Sequence, residues 1–137
     1  MRAVADTSVL LRLLLPDEPA LVAAVEQYLT ERETRTLFVA PTTVSEVTYV
    51  LRGPRLALGR ERTIAAIRLL RELPLRFLDG DIIDRALAFY EHARGDWDDC
   101  MVAAYATERA DSHVLAYDRD FDRIPGLSRI EPPMVTS

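Results

Sequence analysis

Four acids stand where apolar runs stop or helices begin: Asp6 in AVADTS, Glu46 in TTVSEV, Asp99 in GDWDDCMVAAYA and Asp118 in VLAYDRDF. Taken singly, each has a structural use. Aspartate is among the best helix N-caps, so Asp6, Asp99 and Asp118 are candidates to accept from orphan amides at strand-to-helix turns. Thr43 to Glu46 read as a capping box, the hydroxyl bonding forward and the carboxylate reaching back. Taken together, the acids suggest different chemistry. In an open parallel sheet the carboxyl ends of the strands face one edge, where ligands bind. Four carboxylates converging there would repel one another, and a divalent cation resolves that conflict. Oxygen donors without soft ligands select Mg²⁺ or Mn²⁺ over zinc. Thr7 and Ser8, directly behind Asp6, supply short hydroxyls suited to orienting Asp6 or a metal-bound water.

Composition removes most competing chemistries. The 137 residues include one cysteine, Cys100, and two histidines, His92 and His113, too few for an internal disulfide or a cysteine/histidine zinc site. All 17 basic residues are arginines. Without lysine there is no P-loop and no Schiff base, and a haloacid-dehalogenase reading of VLAYDRDFD fails for want of its downstream lysine. The formal net charge of −5 is not that of a uniformly basic nucleic-acid binder. Charge is unevenly spread, however: Arg52 to Arg71 hold six arginines against Glu61, so this segment carries +5 and the rest of the chain −10. Arg52, Arg55, Arg60 and Arg62 are therefore candidates to guide a phosphate backbone toward Glu46. The plain alternative is a solvated helix face. Trp97, between Asp96 and Asp99, is expected to pack at a helix start and not to stack on a base.

The elements that must position these residues alternate along the chain. Short β-favouring runs occur at AVA before Asp6, LFVA before Pro41, LRFL before Asp79 and HVLAY before Asp118. Helical patterns fill the gaps: SVLLRLLL to Pro16, EPALVAAVEQYLTERE, TTVSEVTYVLR to Gly53, ERTIAAIRLLREL to Pro74, DIIDRALAFYEHAR to Gly95, and DDCMVAAYATERA. Strands separated by helices imply crossover connections, hence an α/β fold with a mostly parallel central sheet covered on both faces. The length predicts a single domain over residues 1–137. No apolar run reaches the ~18 residues of a membrane span, and the acid inside the apolar start is unlike a signal peptide. A cytoplasmic location with no membrane partner is the expectation. VLLRLLL is too apolar for one face of a surface helix, so the first two helices are expected to expose an apolar groove or to be buried on two sides.

AVADTS, VSEV, DDCMVAAYA and VLAYDRDF, in this order and at this spacing, resemble the PIN domain, specifically the VapC-type toxins of bacterial toxin-antitoxin pairs. The resemblance covers nearly the whole chain. It implies a three-layer α/β/α sandwich and a metal-dependent endoribonuclease in which Asp6, Glu46, Asp99 and Asp118 match the acidic quartet, with Asp96 at a further position that is often acidic. It also implies Mg²⁺ or Mn²⁺ as cofactor, RNA as substrate, a cognate VapB-type antitoxin lying on an apolar surface, and a homodimer or a hetero-oligomer with that antitoxin. The sequence departs from the pattern twice. Ser8 stands where the family usually has Asn, and Ala116 where it has Thr or Ser, which removes a hydroxyl near the last acid. The competing reading is a PIN-like module that binds metal weakly, or binds only its partner.

Overall fold

The computed structural model describes residues 1–15, 17–31, 35–92 and 95–133. Strands and helices alternate as the periodicity requires: β1 (Arg2–Val4), α1 (Thr7–Leu14), α2 (Pro19–Thr30), β2 (Thr36–Val39), α3 (Pro41–Arg52), α4 (Arg60–Arg71), β3 (Arg76–Phe77), α5 (Gly80–His92), α6 (Trp97–Arg109), β4 (His113–Leu115), a 3-10 turn (Arg119–Arg123) and β5 (Ser128–Ile130). Contacts divide the chain into two compact units, Met1–Gly80 and Asp81–Ser137.

The first unit contains a parallel three-stranded sheet in the order β1-β2-β3, with Ala3 opposite Leu37 and Val39 opposite Phe77. Its helices pack by the spacing of their apolar residues. In α3, Val44, Val47, Thr48 and Leu51 are buried, one stripe at helical intervals. Pro41 begins that helix because its fixed φ suits the first turn and its missing N–H would have been an orphan there. In α4, Thr63, Ile64, Ile67 and Leu70 form the buried stripe, which leaves Arg62 and Arg68 exposed. Truncating a buried leucine such as Leu51 or Leu70 to alanine would cost ~2–5 kcal/mol. In α1 only Leu10 is buried, and an apolar groove of about 300 Å³ opens among Val9, Ala24, Val25, Tyr28 and Leu37. Of the two expectations for the first helices, the groove is the one found.

The second unit holds a two-stranded parallel sheet, β4 beside β5, with Val114 opposite Arg129. Ala103 and Ala106 from α6 pack with Val114, Phe121 and Ile124, and Ala116 lies against this cluster. Phe121 and Ile124 thereby anchor the turn that carries Asp118 and Asp120. Two ion pairs tie α5 to α6, Arg85 with Glu108 at 2.8 Å and Arg109 with Asp81 at 2.9 Å. Trp97 is buried edge-on against Tyr90, with ring centroids 5.6 Å apart, which is the packing role expected of it.

Among the described residues, all six helices and four of the strands coincide with the runs read from the sequence, and every strand pair is parallel. The extension of the second helix over Arg32 and Glu33, that of the fifth over Ala93 and Arg94, and the stop at Pro16 lie outside the described residues. The 3-10 turn and β5 were not anticipated. β5 has no apolar run to announce it: Ser128 and Ile130 are exposed. It is fastened instead by Arg129, whose guanidinium donates to Asp122 at 3.0 Å and to the Ala116 carbonyl at 3.0 Å. Among the described residues, no helix is long and apolar enough to cross a membrane.

Candidate metal centre

In the first unit, β1 ends at Val4 and α1 begins at Thr7, so Asp6 occupies the N-cap position with extended backbone. Its carboxylate nevertheless makes no cap hydrogen bond. It accepts instead from the Ser8 hydroxyl at 3.3 Å. Glu46 is not part of a capping box, which corrects the structural reading of TTVSEV. Because Pro41 starts α3 two residues before Thr43, the cap position falls to Ala40 and Glu46 lies a full turn inside the helix. There it is exposed and accepts from the Thr7 hydroxyl at 2.6 Å, across 39 residues of sequence. Ser8 thus donates to Asp6, and Thr7 to Glu46.

In the second unit the capping roles are also redistributed. Asp96, not Asp99, caps α6: its carboxylate accepts from the Asp99 amide at 2.9 Å. Asp118 does cap, its carboxylate accepting from the Asp120 amide at 2.8 Å at the start of the 3-10 turn. Freed from capping, the Asp99 carboxylate lies in a cluster with Asp118 and Asp120, in which one oxygen of each lies within 4.8 Å of the others. Asp99 is half-buried and the other two are exposed. Burial pushes the Asp99 carboxyl above its ordinary pKa, and the neighbouring charges of Asp96, Asp118 and Asp120 push it further the same way. Gly95 is buried directly beneath, where a Cβ would come within 3.3 Å of the Asp99 Cβ. A side chain there would crowd the Asp99 Cβ, whereas the Oδ2 oxygen, at 3.7 Å, would remain at ordinary contact distance.

Asp120 is the member that reading the sequence missed. Its signal was present as the alternation Asp118-Arg119-Asp120, but spacing alone does not say that a tight turn folds the second acid back toward the first. Asp6 and Glu46 belong to the first unit, and Asp99 and Asp118 to the second. Asp6 stands at the β1–α1 junction and Glu46 inside α3, whereas Asp99 opens α6 and Asp118 follows β4.

The Asp99, Asp118 and Asp120 donor set fits a hard divalent cation. It is all oxygen, one oxygen of each carboxylate lies within 4.8 Å of the others, and burial together with the neighbouring charges raises the Asp99 pKa. Of the candidate RNA-guiding arginines, Arg52, Arg55 and Arg62 are exposed and Arg60 is half-buried. His92 and His113 are also exposed.

Fold and site define a class: an α/β protein with purely parallel strand pairing whose acids crowd at the ends of its elements. Residues 3–127 match the PIN domain, and the chain belongs to that family, whose members are generally nucleases. The match crosses the boundary between the two units. Among solved structures, the chain is similar to VapBC2 from Rickettsia felis, crystallised with a DNA fragment from the promoter of its genes, at 14% identity and a TM-score of 0.41 over 96% of this chain and 98% of that one. It is also similar to VapC20 of Mycobacterium tuberculosis, a toxin that cleaves the Sarcin-Ricin loop, at 14% identity and a TM-score of 0.40 over 96% of this chain and 100% of that one. A search of curated proteins finds no match.

Proposed function

We propose that the protein is a metal-dependent endoribonuclease acting as the toxin of a type II toxin-antitoxin pair, a single-domain cytoplasmic protein using Mg²⁺ or Mn²⁺. The observation that carries this reading is the cluster of Asp99, Asp118 and Asp120 within 4.8 Å, in a member of the PIN family. These three carboxylates would hold the cation, and activity depends as well on Asp6 and Glu46. Bound there, a divalent ion supplies charge stabilisation at the phosphodiester and an acidified water. The chain contributes the positioning: Ser8 orients Asp6, Thr7 orients Glu46, and the Asp96 and Asp118 caps fix the turns that present the cluster. Arg52, Arg55 and Arg62 form no ion pair with described residues, and with Arg60 they offer an RNA backbone four cations on one segment. The apolar groove beside α1 suits an apolar protein segment, in this reading the VapB-type antitoxin.

Ala116 favours a second reading, a PIN-like module of weak catalysis that binds metal or antitoxin. It packs against the core without a hydroxyl to offer. One experiment separates the two. Purified protein incubated with total RNA in Mn²⁺ or Mg²⁺ is expected to cleave it, and to stop in EDTA. Absence of cleavage under either ion, with a melting temperature that still rises in Mn²⁺ because the ion binds the folded state, would establish the weak module instead.

A further inference from the structure

Beside Asp6 lies a pocket of about 260 Å³, formed where the end of α1 meets the loop after α3. Its apolar walls are Leu11, Leu15, Val50 and Leu56. Ser8, which hydrogen-bonds Asp6, is part of the same lining, so the pocket opens next to the acid on which activity is proposed to depend. Four charged side chains complete it. Arg12 donates to Asp17 at 3.3 Å and pairs with Glu18 at 3.2 Å, using one oxygen of each carboxylate. The second oxygen of each is uncommitted among the described residues, and so is the guanidinium of Arg55.

That inventory selects an occupant. Two cations and two anions make the lining neutral, and two carboxylates disfavour a phosphate. Leucine and valine walls favour a flat, neutral ring, and a volume near the ~300 Å³ lower end of ligand pockets suits one base better than a larger ligand. Among the bases, guanine alone offers adjacent N–H donors, N1 and the exocyclic amine, to a carboxylate while presenting the O6 and N7 acceptors to an arginine. Single-stranded RNA can splay out such a base and have its edges read in this way. We propose that this pocket receives a guanine of the RNA substrate, with Glu18, Asp17 and Arg55 as its specificity-determining residues. The inference rests on the nuclease reading above.

The test has two arms. In EDTA, binding of GMP, AMP, CMP and UMP to the full chain is followed by calorimetry, which requires no cleavage. GMP is expected to bind at least tenfold more tightly than the other three, and to lose that advantage both in Leu56→Trp, which fills the pocket, and in Glu18→Gln, an exposed change that leaves the fold undisturbed. Equal affinity for the four nucleotides, no binding, or a preference that survives both substitutions overturns the proposal. In the second arm, cleavage sites of wild type in Mn²⁺ are mapped on total RNA by sequencing new 5′ ends. Sites enriched in guanine at one fixed position relative to the cut support the pocket, and sites with no such enrichment overturn it while leaving the nuclease intact. Selective GMP binding without any RNA cleavage would instead keep the base pocket and remove the nuclease.

Discussion

The acids of the two units are held by different means. In the first, Asp6 and Glu46 meet side-chain hydroxyls, Ser8 at 3.3 Å and Thr7 at 2.6 Å. In the second, Asp96 and Asp118 meet backbone amides at 2.9 and 2.8 Å, and so stabilise the turns they stand on. The difference separates two contributions that a carboxylate at a helix start usually mixes. Asp6 occupies a cap position without capping, so its charge can be removed without loosening α1. Asp118 both caps and clusters, so the fold and the site draw on the same side chain.

The largest effect expected from this contrast is at Asp6. Asp6→Asn should lower RNA cleavage in Mg²⁺ by at least ~100-fold, the scale of losing one group that stabilises developing charge. Thermal melting in EDTA should stay within the ~0.5 kcal/mol typical of surface changes. Cleavage retained by this variant would reduce Asp6 to an incidental acid. Next comes Thr7→Val, which keeps the shape and deletes the donor to Glu46. Groups that orient a ligand typically contribute ~10–100-fold, so a fall near the lower bound is expected in kcat with little change in melting. An unaltered rate would show that the Thr7 bond is only local.

Stability should distinguish the units more directly. Asp96→Ala and Asp118→Ala each delete a cap bond and should cost ~1 kcal/mol, with Asn largely restoring it. Asp6→Ala should cost far less, and denaturant melts of the three in EDTA measure the difference. If Asp6→Ala costs as much as the other two, the distinction between hydroxyl-held and amide-held acids collapses.

The smallest effect concerns Asp99. Its carboxyl is raised in the folded protein by burial and then by Asp96, Asp118 and Asp120. A carboxyl raised on folding binds its proton more tightly in the native state, so it destabilises above the folded pKa, and that penalty is relieved as pH falls through the folded value toward the unfolded one. In EDTA, Asp99→Asn should therefore melt slightly higher than wild type at neutral pH, and the gain should fade on acidification through the carboxylate range. A gain that is constant across pH would mean that the ionised Asp99 carboxylate is not its source.

Local pattern carried the helices and most strands into view. The stripe Val44, Val47, Thr48, Leu51 and the short run before Asp6 are signals that neighbouring residues generate by themselves, and the four acids were visible because each interrupts such a signal. β5 was hidden for the converse reason: its anchor is Arg129, a charged residue whose partners, Asp122 and the Ala116 carbonyl, no periodicity marks.

Which acid caps and which is free was decided elsewhere. Pro41 moved the cap of α3 three residues back, from Thr43 to Ala40, and with that shift Glu46 is no longer half of a capping box but an acceptor for Thr7. The sequence by itself determined the donor types, because with one cysteine, two histidines and many acids any cluster of candidate ligands in this chain is built mainly from carboxylate oxygens. Only the tertiary structure could make Asp120 the third member of the cluster, put Ser8, the donor to Asp6, in the lining of a pocket, and leave Arg55 without an ion pair among the described residues. Those outcomes depend on hydrogen bonds and approaches between residues far apart in the chain, or on the turn geometry between near ones, and residue type does not encode a distance.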